Sequence, residues 1–288
     1  MSYIDTLPLI TVRIPAYNHE QYVCSALDSV KRQEYGNIEI VIIDDGSTDN
    51  TAARISEWIE SNGGDIKVVF RSRKNRGVSA TINELVDMSN GDYLVGLASD
   101  DELLPESIVR RYEYLKRHPH KMAVFGDSIV VDADGKKIFD SGIADLHGGD
   151  KEKYGTDTGL KREIIQNWST TGSCIMMRRA LHDRFQYDES LTVEDRDFYL
   201  QMVSEGLLGF IDHPVSAYRM HETNASVQGK DNLATSLNKF KSLTKNARRF
   251  PLKDRHLFIK PTLSSFFGIV VYYAINILKS LSSRGASG

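Results

Sequence analysis

The sequence predicts an α/β protein: a mostly parallel sheet flanked by helices, with a helical extension at the C-terminus. Three observations lead there. Short apolar runs alternate with amphipathic stretches from Leu9 to Arg117, each run stops at turn residues, and two of the runs stop at paired aspartates. A brief apolar run closed by turn residues reads as a strand buried on both faces. Regular alternation of such strands with helices predicts a parallel sheet covered on both sides. A chain of 288 residues is long enough for one such unit with an appendage.

The elements follow in order. Residues 9–14 read as a strand and 20–33 as a helix with Val23, Ala26, Leu27 and Val30 on one face. Residues 38–43 form the second strand, and 49–60 a helix with Asp49 at its N-cap. Strand 66–70, helix 78–88, strand 93–98 and helix 106–117 complete the series. The rhythm then changes. Residues 122–132 read as a strand entering the turn Asp134-Gly135, and 140–160 as a long loop, rich in Gly and Asp and without periodicity. Loops of that length often act as lids. A strand at 174–178, a helix at 195–205 and a strand at 209–220 precede further helices.

Composition narrows the function. A hydrophobic share of 41% and a charged share of 26% are ordinary for a globular protein, and the net charge of -3 argues against general nucleic-acid binding. Cys24 and Cys174 have no metal-like spacing; Cys24 reads as a small core residue, and a reducing, cytoplasmic setting fits. Residues 1–9 lack the pattern of a signal peptide. Near the C-terminus, Phe266, Phe267, Ile269, Val270, Val271, Tyr272, Tyr273 and Ile275 make a nearly apolar run. It is short of the roughly 20 residues that span a bilayer. Lys241, Lys245, Arg248, Arg249, Lys253, Arg255 and Lys260 crowd its approach. Two readings stay open: a helix docked on the core, or an interfacial helix drawn to anionic lipid at the inner membrane face.

Ligands of open parallel sheets gather outside the carboxyl ends of the strands. Pro15-Ala16-Tyr17-Asn18 ends the first strand, and Tyr17 offers a ring suited to stacking on a base. Asp44 and Asp45 end the second; a carboxylate there suits the imide N–H of uracil or thymine, and Gly46 permits close backbone approach. The bland alternative is a helix-capping turn, although a cap needs one polar residue and this turn has four. Asn75 and Arg76 precede the helix after the third strand, where Arg76 either approaches the ligand or is solvated. Asp100 and Asp101 are candidate ligands for Mg²⁺ or Mn²⁺, which one or two carboxylates plus substrate phosphates suffice to hold.

The strings Val12-Arg13-Ile14-Pro15-Ala16-Tyr17-Asn18 and Glu39-Ile40-Val41-Ile42-Ile43-Asp44-Asp45-Gly46-Ser47-Thr48-Asp49, with Asn75-Arg76-Gly77 and Gly91-Asp92-Tyr93, resemble family 2 glycosyltransferases of the GT-A fold over roughly residues 8–105. The resemblance implies an inverting transferase that uses a nucleotide-sugar donor, a UDP-sugar first and a dTDP-sugar second, with Mn²⁺ or Mg²⁺. The family's Asp-x-Asp-Asp reads here as Ala98-Ser99-Asp100-Asp101, so one carboxylate is missing; Asp100 is the preferred ligand and Ser99 lies on the donor side. Glu194-Asp195 resembles the family's Glu-Asp motif, which makes Asp195 the expected general base with Glu194 in reserve. Its structural alternative is an acidic first turn on a helix. Arg219 and His221 match a segment that approaches the diphosphate or metal, and Trp168, Thr171, Gly172 and Ser173 match the acceptor side.

The implied organisation is a catalytic unit over 1–225, with a nucleotide-sugar half at 8–120 and an acceptor half at 121–225, followed by the extension 226–288. The implied acceptor is a saccharide, lipid-linked in bacterial surface-polysaccharide assembly, and a homo-oligomer is allowed. Two other readings remain: a non-catalytic GT-A-like scaffold, to which Ala98 lends weight, and a nucleotidyltransferase. Pro15-Ala16-Tyr17-Asn18 stands where the nucleotidyltransferase would need a Gly-rich, basic loop.

Overall fold

Residues 10–16 and 38–44 carry apolar runs closed by turn residues, and they form adjacent inner strands. In the computed structural model, which describes residues 7–62, 64, 66–224 and 233–285, β1 (Ile10–Ala16) pairs in parallel with β2 (Ile38–Asp44), both buried almost throughout. β3 (Lys67–Ser72) extends the parallel set beyond β2, and β4 (Tyr93–Gly96) joins β1 on its other side. The connecting helices are α1 (Val23–Lys31), α2 (Thr51–Asn62) and α3 (Val78–Met88).

After β4 come β5 (Glu102–Leu103), α4 (Ser107–Arg117), β6 (Ala123–Val131) and β7 (Lys137–Phe139). Then follow α5 (Asp157–Gln166), β8 (Ile175–Arg178), α6 (Glu194–Ser204) and β9 (Leu208–Arg219). The sheet order is β3-β2-β1-β4-β8-β6-β9-β5, with β7 paired to β6. Pairs β1–β2, β2–β3, β1–β4 and β6–β9 are parallel, whereas β4–β8, β6–β8, β6–β7 and β5–β9 are antiparallel. The sheet is therefore mixed, with the expected parallel block at its N-terminal side. Val23, Leu27, Ile55, Ile108 and Leu115 cover one face together with Val12 and Ile14. Leu160, Ile164, Phe198 and Met202 cover the other with Phe125 and Met177.

Residues 140–160 correct the expected long loop. Gly142–Leu146 forms a π-turn and Lys151–Gly155 a 3-10 turn, and α5 begins at Asp157. The cause is tertiary. The buried Asp127 carboxylate accepts from Ser141 Oγ at 2.5 Å and from the Ile143 N–H at 3.1 Å, and Lys151 Nζ lies 3.2 Å from it. Thr156 caps α5 by accepting from the Gly159 N–H at 3.1 Å. No periodicity within the segment reports a carboxylate on another strand. A smaller difference is that α2 starts at Thr51, because Asp49 accepts from the Thr51 N–H at 3.0 Å and from the Glu20 N–H at 3.1 Å.

The C-terminal helices dock on the core in part and leave an apolar face exposed. α7 (Leu233–Ala247) docks on α6 around the buried Asp197, which accepts from Ser242 Oγ at 2.8 Å, Asn246 Nδ2 at 2.7 Å and Lys245 Nζ at 2.9 Å. Leu257 and Phe258 are also buried. α8 (Ile259–Gly285) packs Phe266 toward Phe240, but Phe267 and Tyr273 are 68% and 54% exposed. The stretch Leu252–Asn276 is long and apolar enough to cross a membrane by length and composition, its most apolar 18-residue window having a mean hydropathy of 1.4. Residues 1–6 and the expected boundary at 225/226 lie outside the described residues.

Candidate active site

The strand order runs outward in opposite directions from the β1/β4 boundary, which makes the crevice beyond these strand ends the topological switch point. Three turns close around it. Asn18 takes a left-handed backbone (φ 54°), and its side chain accepts from the Thr48 N–H at 2.8 Å while its own N–H donates to Ser47 Oγ at 2.9 Å. That stitches the end of β1 to the end of β2. Tyr17, 47% exposed, projects from this seam.

Asp44 and Asp45 are buried and hold the second seam. Asp44 accepts from the Ser47 N–H at 3.3 Å, from Ser47 Oγ, and from Ser72 Oγ at 2.8 Å. Asp45 pairs with Arg73 and accepts from the backbone N–H groups of Arg76 and Gly77, each at 2.9 Å. A carboxylate offers about four lone-pair sites, so each retains roughly one for a further donor. Gly46 (φ 78°) owes its place to the protein itself, since a Cβ there would lie 2.6 Å from the Asn75 backbone nitrogen. Asn75 and Arg76 are exposed at this rim, and Arg76 pairs with Glu84 at 3.3 Å.

The third turn carries the acidic pair, and its two members part company. Asp100 Oδ2 lies 3.0 Å from His221 Nε2 and 3.7 Å from His19 Nε2. Ligand atoms of His19, Asp100 and His221 all fall within 4.8 Å of one another. Each imidazole is oriented through its other nitrogen, His19 Nδ1 by Ser99 Oγ at 2.7 Å and His221 Nδ1 by Thr223 Oγ1 at 2.8 Å, as ligating histidines generally are. Burial holds the His19 pKa below its ordinary value despite Asp100, which favours the neutral, ligating form. Burial alone would raise Asp100, but the His221 hydrogen bond and His19 hold it low and ionised. Two imidazoles and one carboxylate fit a divalent cation.

Asp101 faces inward instead. It meets Ser173 Oγ at 2.6 Å and accepts from the Arg219 N–H at 2.9 Å. Arg219 likewise spends its guanidinium on protein, donating to the carbonyls of Asp100, Asp132 and Ala133 and to Glu102 at 2.8 Å, and covering the Tyr22 ring. Both residues brace the turn that presents Asp100. His19, which the sequence reasoning passed over, takes the third place in the cluster. Its signal was position: it directly follows Asn18 at the end of the strand beside β4.

A cavity of about 150 Å³ is lined by Pro15, Ala98, Gly172, Tyr187, Tyr199, Glu194 and Asp195, among others. Ala98 thus sits in the cavity wall where the family has a carboxylate. Glu194 and Asp195 open α6, and protein surrounds most of both side chains. Burial, then the Asp195 charge, pushes Glu194 up to about 8; burial also raises Asp195, which accepts from the Arg196 N–H at 2.6 Å. Adjacent acids that cannot both ionise cheaply supply one proton donor and one acceptor. Of the expected acceptor residues, Gly172 lines the cavity. Ser173 donates inward, Thr171 bonds Ser128 Oγ at 3.0 Å, and Trp168 packs edge-on against Tyr199.

Fold and site together define an α/β protein with a His-Asp-His cluster in the turn after Ala98 and a half-buried acid pair in a cavity beside it. The family model for glycosyl transferase family 2 matches residues 11–185, and the chain belongs to that family. Chondroitin synthase of Escherichia coli is 25% identical over 251 residues, which is 87% of this chain and 34% of the relative, so the chain spans about a third of that protein. Mannosyltransferase PcManGT of Pyrobaculum calidifontis, solved in complex with GDP-Man and Mn²⁺, matches with a TM-score of 0.68 at 17% identity, over 98% of this chain and 76% of its own. S. aureus TarS in complex with UDP-GlcNAc matches with a TM-score of 0.65 at 18% identity, over 90% and 72%. The fold is GT-A.

Proposed function

We propose that the chain is an inverting glycosyltransferase that moves a hexosyl or N-acetylhexosaminyl group from a UDP-sugar to a saccharide acceptor. The observation that carries this reading is the convergence of His19, Asp100 and His221 on one cation-sized site in the turn that follows Ala98, while Ala98 itself lines the cavity that holds Glu194 and Asp195. His19, Asp100 and His221 would hold the cation, which when bound neutralises charge on the leaving diphosphate. Two imidazole ligands suit Mn²⁺ better than Mg²⁺, which prefers oxygen and water.

Tyr17 stacks on the base, and Asp44 or Asp45 accepts its imide N–H at the lone-pair site left open. Asn75 and Arg76 line that rim, while Pro15, Ala16, Asn18 and Ser99 shape the walls beside it. Asp101 and Arg219 fix Asp100 rather than touch the diphosphate. Asp195 takes the proton of the attacking acceptor hydroxyl, and burial brings its basicity closer to working pH. Glu194 stays protonated beside it below about pH 8 and keeps the second charge out of the cavity. Gly172 leaves room for the acceptor, with Trp168 at its flank. UDP with Mn²⁺ is expected to raise the melting temperature; no rise with any pyrimidine nucleotide would sink the donor assignment.

The likeness to a chondroitin synthase supports a saccharide acceptor in polysaccharide assembly. The helices at 233–285 support a membrane-surface setting for that reading. The exposed apolar residues of α8 and the basic approach suit shallow insertion at the cytoplasmic face of an anionic membrane, where a lipid-linked acceptor would lie. Co-sedimentation with anionic vesicles and not with neutral ones is the expected result; equal failure with both would remove the membrane from the account.

A further inference from the structure

β1 contains one residue that its strand does not call for. Val12 and Ile14 enter the apolar layer under α1 and α2, so Arg13, between them, points to the opposite face. It is 2% exposed, and its Nε and Nη1 have no hydrogen-bond partner among the described residues. The guanidinium donates one hydrogen bond, to the Tyr187 hydroxyl. Arg13 stands opposite Gly96 in register and two residues before Pro15, so its guanidinium forms part of the floor of the cavity. A buried cation whose partner is one neutral hydroxyl is strongly unfavourable, and an arginine does not escape by losing its proton.

The same cavity holds a second unsatisfied group, the Tyr199 hydroxyl, 4% exposed. On the far wall stand Glu194 and Asp195, and neither carboxyl bonds to Arg13. Two dry N–H donors of Arg13 without a partner, and an unpaired hydroxyl in the wall of the same cavity, suit an oxyanion. The cluster assigned to the diphosphate does not line this cavity, so the oxyanion belongs to the sugar end of a substrate.

We infer that Arg13 is a specificity residue that binds the carboxylate of a hexuronic acid, carried either by the donor sugar or by the accepting residue. The inference rests on the glycosyltransferase reading above and adds the substrate class to it. It also gives a reason for Ala98: a carboxylate there would stand in the wall of a cavity that receives an anion.

The test compares UDP-glucuronate with UDP-glucose, and acceptor oligosaccharides ending in glucuronate with those ending in glucose. Calorimetric binding in the presence of Mn²⁺ and turnover are both read, for the wild type, Arg13→Met and Arg13→Lys. In one arm, donor or acceptor, the wild type is expected to favour the acidic sugar by about ten- to a hundredfold, the range of a charge-assisted hydrogen bond. Arg13→Met should bring that ratio close to one. Arg13→Lys, which keeps the charge and loses the fork, should keep part of it and serves if the methionine variant does not fold. Equal binding of acidic and neutral sugars in both arms, or a preference that survives Arg13→Met, would overturn the assignment. Absence of turnover with every donor would instead strike the transferase reading, and the binding arms would still decide the role of Arg13.

Discussion

His19 and His221 meet edge to face, 5.6 Å between ring centroids, with the Asp100 carboxylate beside both. One imidazole comes from the end of β1 and the other from the turn after β9, so the cluster forms only when distant parts of the chain close on the acidic turn. Serine and threonine hydroxyls fix the outer nitrogen of each ring. That arrangement belongs to a cation site more than to a hydrogen-bonded surface patch.

Removing one imidazole should therefore weaken the cation without unfolding the chain. His19→Ala is expected to lower Mn²⁺ affinity by at least about tenfold, the effect commonly seen even for outer partners of a metal ligand. Calorimetric titration of the folded variant checks this, and unchanged affinity would take His19 out of the site.

Asp195→Asn keeps a side-chain oxygen for the Arg196 N–H and removes the basic carboxylate. Turnover should fall by about 10²- to 10⁴-fold, the usual worth of a general base, while UDP binding stays near the wild-type value. Normal turnover in this variant would move the base elsewhere.

Glu194 makes stability depend on pH. Its folded pKa, about 8, lies above the unfolded carboxyl value near 4.3, so between these limits the native state holds the extra proton. Stability should fall as pH rises through that window and level off above it. Glu194→Gln, neutral at every pH, should flatten the slope and melt higher than the wild type at pH 8. Melting curves from pH 5 to 9 decide it; parallel curves would place Glu194 in water.

Arg219→Lys tests the brace. A lysine cannot reach the three carbonyls and Glu102 together, and the loss should come to about 1–3 kcal/mol in urea denaturation. A variant of unchanged stability with a raised donor KM would return Arg219 to the diphosphate.

Much of this was legible before the structure. The apolar runs at β1, β2 and β4 marked the parallel block because strands buried on both faces need no partner pattern to be seen. Asp100 came from residue type and placement and His221 from the family resemblance, and the structure joins them. What stayed hidden depends on contacts between distant segments. Asp100 and Asp101 are neighbours with equal chemistry, and only the Ser173 hydroxyl and the Arg219 N–H decide which one faces inward. His19 looked like any loop histidine until β1 and β4 were known to be adjacent. The helical turns of 140–160 rest on Asp127, a residue outside that segment.

The most direct test of the central claim is release of nucleoside diphosphate from a panel of sugar nucleotides, with and without Mn²⁺, followed by the anomeric configuration of any product. The account predicts Mn²⁺-dependent turnover of a UDP-sugar with inversion at the transferred carbon. Turnover that ignores the cation, a product of retained configuration, or silence across the whole panel with Mn²⁺ present would contradict it.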